Sequence, residues 1–500
     1  MAETSVHGDI HRESSGDSPN RRSRPPPPPL SPKDLIGALP NDVIHHIFSF
    51  LPLQDVVKTS VLSKRWQSTW TTTTHFVFNG DRPRNHETYS FDFLSLVNSV
   101  LIQSTSPTVK RLHVTGFVYD EANSPKLDFC LRFAMARRVE DLCLGLTASP
   151  FLYTLPRFMS RLSCLVRLEV SYCCFSLGTS IRWPCLKVLS IRHGELCDQS
   201  LQKILRGSPV LESLELDSCK GVKNIRIDST SVKDLLLVPS LFSDVENLWA
   251  PHLLSLRVSG FSPHDSVFRL DDVSSLVEAN LYLRILYFSM SHVERKRDLL
   301  KGLLEKLRGV PTLATGGSCL QILSHWEMEG VPSPSSKCRN LTLNAPVSRW
   351  DLPGIVHLLR SSPCLEKLVI HLAGFTNLQF ELDEESKDRF NYDEEDFLCS
   401  RKGNFECLAK HLGRVEIIGF QANSFRSKYL LALMKFLLGD ALVLQKLIIK
   451  AELPTQNGQE RHQDPVLLEL LGEIQKVLGY GRASRNAEVI FNHPFKETSF

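Results

Sequence analysis

Residues 165–173 read LVRLEVSYC and residues 211–219 read LESLELDSC. Each stretch places apolar side chains at its first, fourth and sixth positions and closes on a cysteine. The last apolar pair alternates with polar residues, which is the period of a short strand burying one face. The same spacing recurs at Val109-Leu112-Val114, Val139-Leu142-Leu144, Leu186-Leu189-Ile191, Val222-Ile225-Ile227, Val232-Leu235-Leu237 and Leu253-Leu256-Val258. After a looser region it returns at Leu365-Leu368-Ile370, Leu412-Val415-Ile417 and Leu444-Leu447-Ile449. No single unit of this kind can bury its apolar edge alone, so the array must stack into a curved solenoid.

Through Val258 the units follow one another at about 20–30 residues, the range of leucine-rich repeats. Cys173 and Cys219 stand three residues after Val170 and Leu216. Leucine-rich repeats put Asn or Cys there to hydrogen-bond the turning backbone, a structural role that outweighs metal ligation or catalysis. Between strands, residues 200–206 before Gly207-Ser208-Pro209, and 352–360 before Ser361-Ser362-Pro363, read as short helices. The variable strand positions His113, Glu169, Glu215, Arg226 and Arg257 are expected to line the concave face and meet a target. Their mixed chemistry points to no ligand class.

Upstream of the repeats, residues 39–70 read LPNDVIHHIFSFLPLQDVVKTSVLSKRWQSTW. Pro40 suits a first helical position and Asp42 adds negative charge to the first turn. Val43, Ile44, Ile47, Phe48 and Leu51 recur at helical spacing but cover more than one face. Pro52 stops that helix, Leu53, Val56, Val57 and Val61 make a second, and Ser63 is placed to cap a third bearing Trp66 and Trp70. Domains below roughly 40 residues rarely hold together without disulfides, metals or a partner. With no cysteine in the segment, its surplus apolar surface is expected to belong to another polypeptide.

The landmarks Leu39-Pro40, Ile44, Ile47, Phe50-Leu51-Pro52, Val57, residues 60–66 (SVLSKRW) and Trp70 resemble the F-box, and the second Trp resembles plant F-box proteins that carry leucine-rich repeats. Asn41 before the acidic residue and His45-His46 depart from the usual pattern. The resemblance implies a three-helix module that docks on a Skp-type adaptor and, through it, a cullin. Leu39, Pro40, Ile44, Ile47, Phe48, Leu51, Leu53 and Val57 are then expected at the adaptor, and Leu62, Trp66 and Trp70 in the F-box core. The bland alternative is a helical cap on the first repeat.

Residues 405–454 are similar to the FBD module that follows the repeats in such proteins. The similarity rests on Cys407-Leu408, Leu412, Val415-Glu416-Ile417, Gly419-Phe420, residues 436–438 (FLL), Ala441 and residues 443–447 (VLQKL), with Asp440 where Asn is usual. Physically it reads as strand, helix over about 426–438 and strand, a distorted last repeat able to cap the array. The expected fold is therefore α/β: an N-terminal three-helix F-box, then a curved leucine-rich-repeat solenoid ending in an FBD-like cap. The boundaries are a disordered Pro/Ser/Arg-rich tail over 1–32, the F-box over 33–75, irregular repeats over 76–380, an acidic solvated loop over 381–403, the FBD-like module over 404–455 and an extension over 456–500.

The remaining chain narrows the function by exclusion. Of 500 residues, 42% are hydrophobic and 23% charged, ordinary for a globular chain, and a net charge of +3 gives no argument for nucleic acid. Thirteen cysteines without a paired framework or an apolar leader point to a reducing cytoplasmic or nuclear setting. No apolar run is long enough to span a bilayer, and the leucines of 295–308 are expected to face the core and not a membrane. There is no Walker loop, H-E-x-x-H, G-x-S-x-G or complete G-x-G-x-x-G, and no metal-ligand spacing, so neither an enzyme nor a cofactor is expected. Nothing argues for or against a small-molecule co-ligand. Two functions remain: a substrate receptor of an SCF-type ubiquitin ligase, or an F-box scaffold without ubiquitination.

Overall fold

A computed structural model describes residues 38–51, 53–80, 93–148, 150–176, 178, 180–239, 245–261, 268–284, 290–332, 334–372, 390–403, 405–420, 427–452 and 463–492. Their main feature is a fifteen-stranded parallel sheet whose strands follow one another in chain order, from His75–Asn79 to Glu488–Asn492. Such an order arises when each turn of a coil adds one strand beside the last.

The leading apolar residue of each repeat sets the phase of the coil. Leu165, Leu186, Leu211, Leu253, Leu276, Val310 and Leu365 each donate a backbone N–H to the carbonyl three residues upstream, at 2.9–3.3 Å. The turn so formed aims the next residues into the sheet. The other two apolar residues of each unit then point inward: Leu168 and Val170, Leu189 and Ile191, and Leu214 and Leu216 are all buried. Strands at Arg167–Ser171, Val188–Arg192 and Ser213–Asp217 end on a left-handed residue, Tyr172, His193 and Ser218, with φ of 55°, 51° and 54°. Cys173 and Cys219 follow two of these corners, donating their thiols to Ser171 O at 3.3 Å and Ile191 O at 3.4 Å. The backbone-bonding role expected of both cysteines is what the geometry shows.

Helices return the chain across the other side. Asp198–Gly207 buries Leu201, Ile204 and Leu205 along one stripe, Met290–Leu307 packs likewise, and Leu352–Ser361 is enclosed, with residues 352–359 all buried. In Met290–Leu307, Leu300, Leu303 and Leu307 are buried and Leu299 and Leu304 pack on the core, as expected. Ser318–Glu329 lies so close to Leu352–Ser361 that a Cβ on Gly354 would fall 2.2 Å from Leu320 O, and Ser324 Oγ accepts from Gly354 N at 2.7 Å. No described helix is long and apolar enough to cross a membrane.

Four expectations are corrected. Val222-Ile225-Ile227 leads into Asn224–Arg226, which joins Asn247–Trp249 and Arg269–Asp272 in a separate three-stranded sheet, not the main one. The looser region holds three regular main-sheet strands, Glu278–Arg284, Thr312–Gly316 and Asn340–Asn344. Part of the acidic loop, residues 390–403, is ordered: Asp393 caps the helix Glu394–Cys399, and Glu394 and Glu395 pair with Lys428 and Lys435. The remainder, through residue 389, lies outside the described residues, as does the tail 1–32. Finally, the FBD-like stretch contains the expected strand Arg414–Phe420, helix Ser427–Asp440 and strand Lys446–Ala451, but does not end the sheet. The extension adds helix Gln463–Leu478 and the last strand, Glu488–Asn492.

Candidate functional site

Residues 41–72 fold into the helix Asn41–Phe50, then Leu53–Lys58, Thr59–Val61, Trp66–Thr69 and Trp70–Thr72. Pro40 lies one place before the first helix, extended at ψ 149°, and its carbonyl accepts from Val43 N and Ile44 N at 3.1 Å. Ser63 Oγ accepts from Trp66 N at 3.3 Å, the cap expected of it.

The first helix carries two apolar stripes about 100° apart. Ile44 and Phe48, one turn from each other, are buried and join Leu53, Val56, Trp66 and the first sheet strand's Phe76 and Phe78 in one core. Val43, Ile47 and Phe50 form the second stripe and stay exposed, Phe50 by 74%. Downstream, Val57, Leu62 and Val61 are also exposed, Val61 by 85%. Polar contacts tie the inner side down: His45 Nε2 meets Thr72 Oγ1 at 2.9 Å, and Arg65 Nη2 donates to Asn41 Oδ1 at 2.5 Å.

The second candidate surface is the outward face of the main sheet. His113, Glu169, Glu215 and Arg257 fall in one register row, linked strand by strand through Cys143, Ser190 and Leu236. Arg192 lies between two of them, donating to Glu169 Oε1 at 2.5 Å and Glu215 Oε1 at 2.8 Å. Asp141 accepts from Arg111 Nε at 2.8 Å and sits 3.0 Å from His113 Nε2. Burial works against ionisation of Asp141 and Glu215, yet bonds from His113 and Arg111, and from Arg192, hold both carboxyls below their ordinary values. Further along, Glu416 is buried and meets Lys367, Arg414 and Lys450 at 2.8, 2.8 and 3.1 Å. Burial again opposes its charge, but the three cations outweigh it and set the carboxyl at about 2. No group of three or more His, Cys, Asp or Glu among the described residues could hold a metal.

Residues 36–76 match the F-box domain family, and residues 127–273 match the family described as "FBD-associated F-box protein At5g56370, LRR repeats". The F-box/LRR-repeat protein At3g03360 of Arabidopsis thaliana is 32% identical over 355 residues, covering 68% of this chain and 71% of the relative. Its F-box/LRR-repeat relative At5g02910 from the same plant is 31% identical over 347 residues, covering 68% and 72%. The chain belongs to the F-box/LRR-repeat family. F-box domains as a class bind Skp-type adaptors.

Within this F-box, the expected adaptor set divides. Pro40, Ile47 and Val57 are exposed, and Leu39 and Leu51 are half-buried. Ile44, Phe48 and Leu53 are buried in the chain's own core, which corrects their assignment to an open face. Leu62, expected in the core, is half exposed, following directly on the short helix Thr59–Val61. Trp66 is buried and Trp70 packs partly buried beside it. Val43, Phe50 and Val61, which lie outside the expected set, are exposed as well, and the spacing of Val43, Ile47 and Phe50 describes one stripe. On the F-box protein's sheet, Arg226 does not join His113, Glu169, Glu215 and Arg257. It lies in the three-stranded sheet, 4.2 Å over the Trp249 ring.

Proposed function

We propose that this F-box/LRR-repeat protein is the target-recognition subunit of an SCF-type ubiquitin ligase. The observation that carries the reading is the uncovered apolar side of the F-box. Val43, Ile47, Phe50, Val57, Val61 and Leu62 lie outside the core that Ile44, Phe48 and Trp66 fill. Six exposed large apolar residues gathered in so short a segment mark a surface suited to a partner. A Skp-type adaptor covers them and brings a cullin; the repeat sheet selects the target. Residues 404–455 act as an FBD-like module of that sheet, next to its last strand Glu488–Asn492. The chain works in the cytoplasm or nucleus without performing chemistry itself. It supplies proximity, raising the effective concentration of a target lysine near a charged conjugating enzyme.

The test has two arms. The full chain is purified from plant cells and its co-eluting adaptor and cullin are identified. Proximity labelling with and without proteasome inhibition then identifies neighbours, whose half-lives are measured after the chain is removed. Adaptor and cullin together with a lengthened neighbour half-life support the reading. An adaptor complex without any stabilised neighbour favours an F-box scaffold, and failure to recover an adaptor overturns both.

A further inference from the structure

The outward sheet face sorts its charge along its length. Around the strands Arg167–Ser171 and Ser213–Asp217, a single guanidinium, Arg192, is shared by two carboxylates, Glu169 and Glu215. At the far end the ratio inverts, and one carboxylate, Glu416, is shared by Lys367, Arg414 and Lys450. Between them, the outward positions of Thr312–Gly316 and Asn340–Asn344 carry no charge at all. Six strand-to-strand steps separate Ser213–Asp217 from Lys367–His371, about 29 Å at about 4.8 Å per step. That exceeds the roughly 8 Å over which salt at physiological strength lets charges interact, so the two ends do not neutralise each other.

We infer that the sheet end around Lys367, Arg414 and Lys450 docks a carboxylate-rich stretch of the target polypeptide. This rests on the sheet face being the target surface, as proposed above. Two ammonium groups and one guanidinium bring about eleven N–H donors to a carboxylate that accepts about four. The side chains of Lys367, Arg414 and Lys450 are 39%, 46% and 42% exposed, so the surplus donors reach solvent while Glu416, 6% exposed, is enclosed beneath them. Lys446 adds an exposed cation beside Arg414, facing Glu488 on the last strand. An elongated segment with clustered Asp or Glu complements this end.

The experiment uses the full chain co-expressed with its adaptor and three fluorescent ten-residue peptides, titrated by anisotropy. One is Glu-rich, one Lys-rich, and one carries phosphoserines without side-chain carboxylates. Wild type binds the Glu-rich peptide and loses affinity as salt rises. Lys446→Ala and Lys450→Ala each weaken binding about fivefold, and Glu416→Gln tightens it by removing the competing anion. Lys446→Ala leaves the Glu416 cluster intact, so its effect is not one of misfolding. Affinity unchanged within twofold in both lysine variants, equal binding of the Lys-rich peptide, or binding of the phosphoserine peptide alone overturns the assignment. Adaptor co-elution is scored on the same preparations. Its loss with peptide binding intact counts against the ligase reading and leaves this one standing.

Discussion

The indole of Trp66 meets the ring of Phe48 edge-on, with 5.6 Å between centroids and 79° between planes. The contact joins the first helix, Asn41–Phe50, to the segment Trp66–Thr69 across the turn that Ser63 caps. Replacing Trp66 with Ala empties the centre of a module too small to refill it. The expected cost is about 3–5 kcal/mol, read as a lowered melting transition of the F-box with the repeat sheet still formed by circular dichroism.

The exposed stripe should behave in the opposite way. Phe50→Ala and Ile47→Ala remove no core contact and shift melting by about 0.5 kcal/mol or less. Each weakens adaptor binding about tenfold or more in a titration against a Skp-type adaptor, since burying such a side chain is worth about 1.5–3 kcal/mol. Equal affinity in both variants would place the adaptor elsewhere on the module.

Acid should act through two enclosed carboxylates. Glu327, almost wholly buried, meets His357 Nδ1 at 3.2 Å, Arg360 Nη1 at 2.8 Å and Arg401 Nε at 3.0 Å. Burial opposes its ionisation, but these partners hold its carboxyl below the ordinary value of 4.5. Glu416 is held at about 2. A carboxyl depressed in the folded state adds stability above its unfolded value, and that contribution disappears as pH falls through the folded value. Denaturation curves should therefore lose stability between about pH 4.5 and pH 2, with Glu416 accounting for about 3 kcal/mol. Glu416→Gln should lower stability at pH 7 and make little difference at pH 2.

Thiol reactivity offers a fourth measurement. All thirteen cysteines are free, and Cys185, Cys197, Cys364 and Cys399 are exposed. Burial raises the thiols of Cys143 and Cys219 to about 12. Maleimide labelling of the native chain, followed by mass spectrometry, should modify the four exposed residues first. Cys143, Cys173 and Cys219 should label only after denaturation, and rapid native labelling of Cys219 would contradict its place beneath the corner at Ser218.

Where a repeat held large aliphatic residues at all three positions, its strand was legible in the sequence, as at Leu211, Leu214 and Leu216. Legibility failed where small or polar groups took those places. Ala279 stands in the second position of Leu276-Ala279-Leu281, Thr315 in the third of Val310-Leu313-Thr315, and Cys338 leads Cys338-Leu341-Leu343. Ala279 is buried with no large side chain to announce it, and Thr315 satisfies its hydroxyl by donating to Leu281 O at 3.2 Å. The converse error concerned Val222-Ile225-Ile227, whose spacing is that of a main strand although it serves the smaller sheet. Periodicity reports that a strand buries one face, not which sheet receives it. In the F-box, the helical pattern disclosed two apolar stripes, but which stripe faced inward depended on Phe76 and Phe78 of the following strand.

Because Ile44, Phe48 and Trp66 share a continuous interior with that first strand, the F-box is bolted to the array instead of hanging from a hinge. The fourteen steps between fifteen strands, at about 4.8 Å each, make an arc of about 67 Å. A target docked near Lys367 and Lys450, as inferred above, would therefore stand off from the F-box by a length set by how many coils intervene. Inserting or deleting one coil would move that cargo by a fixed increment, making the number of repeats a ruler for placement.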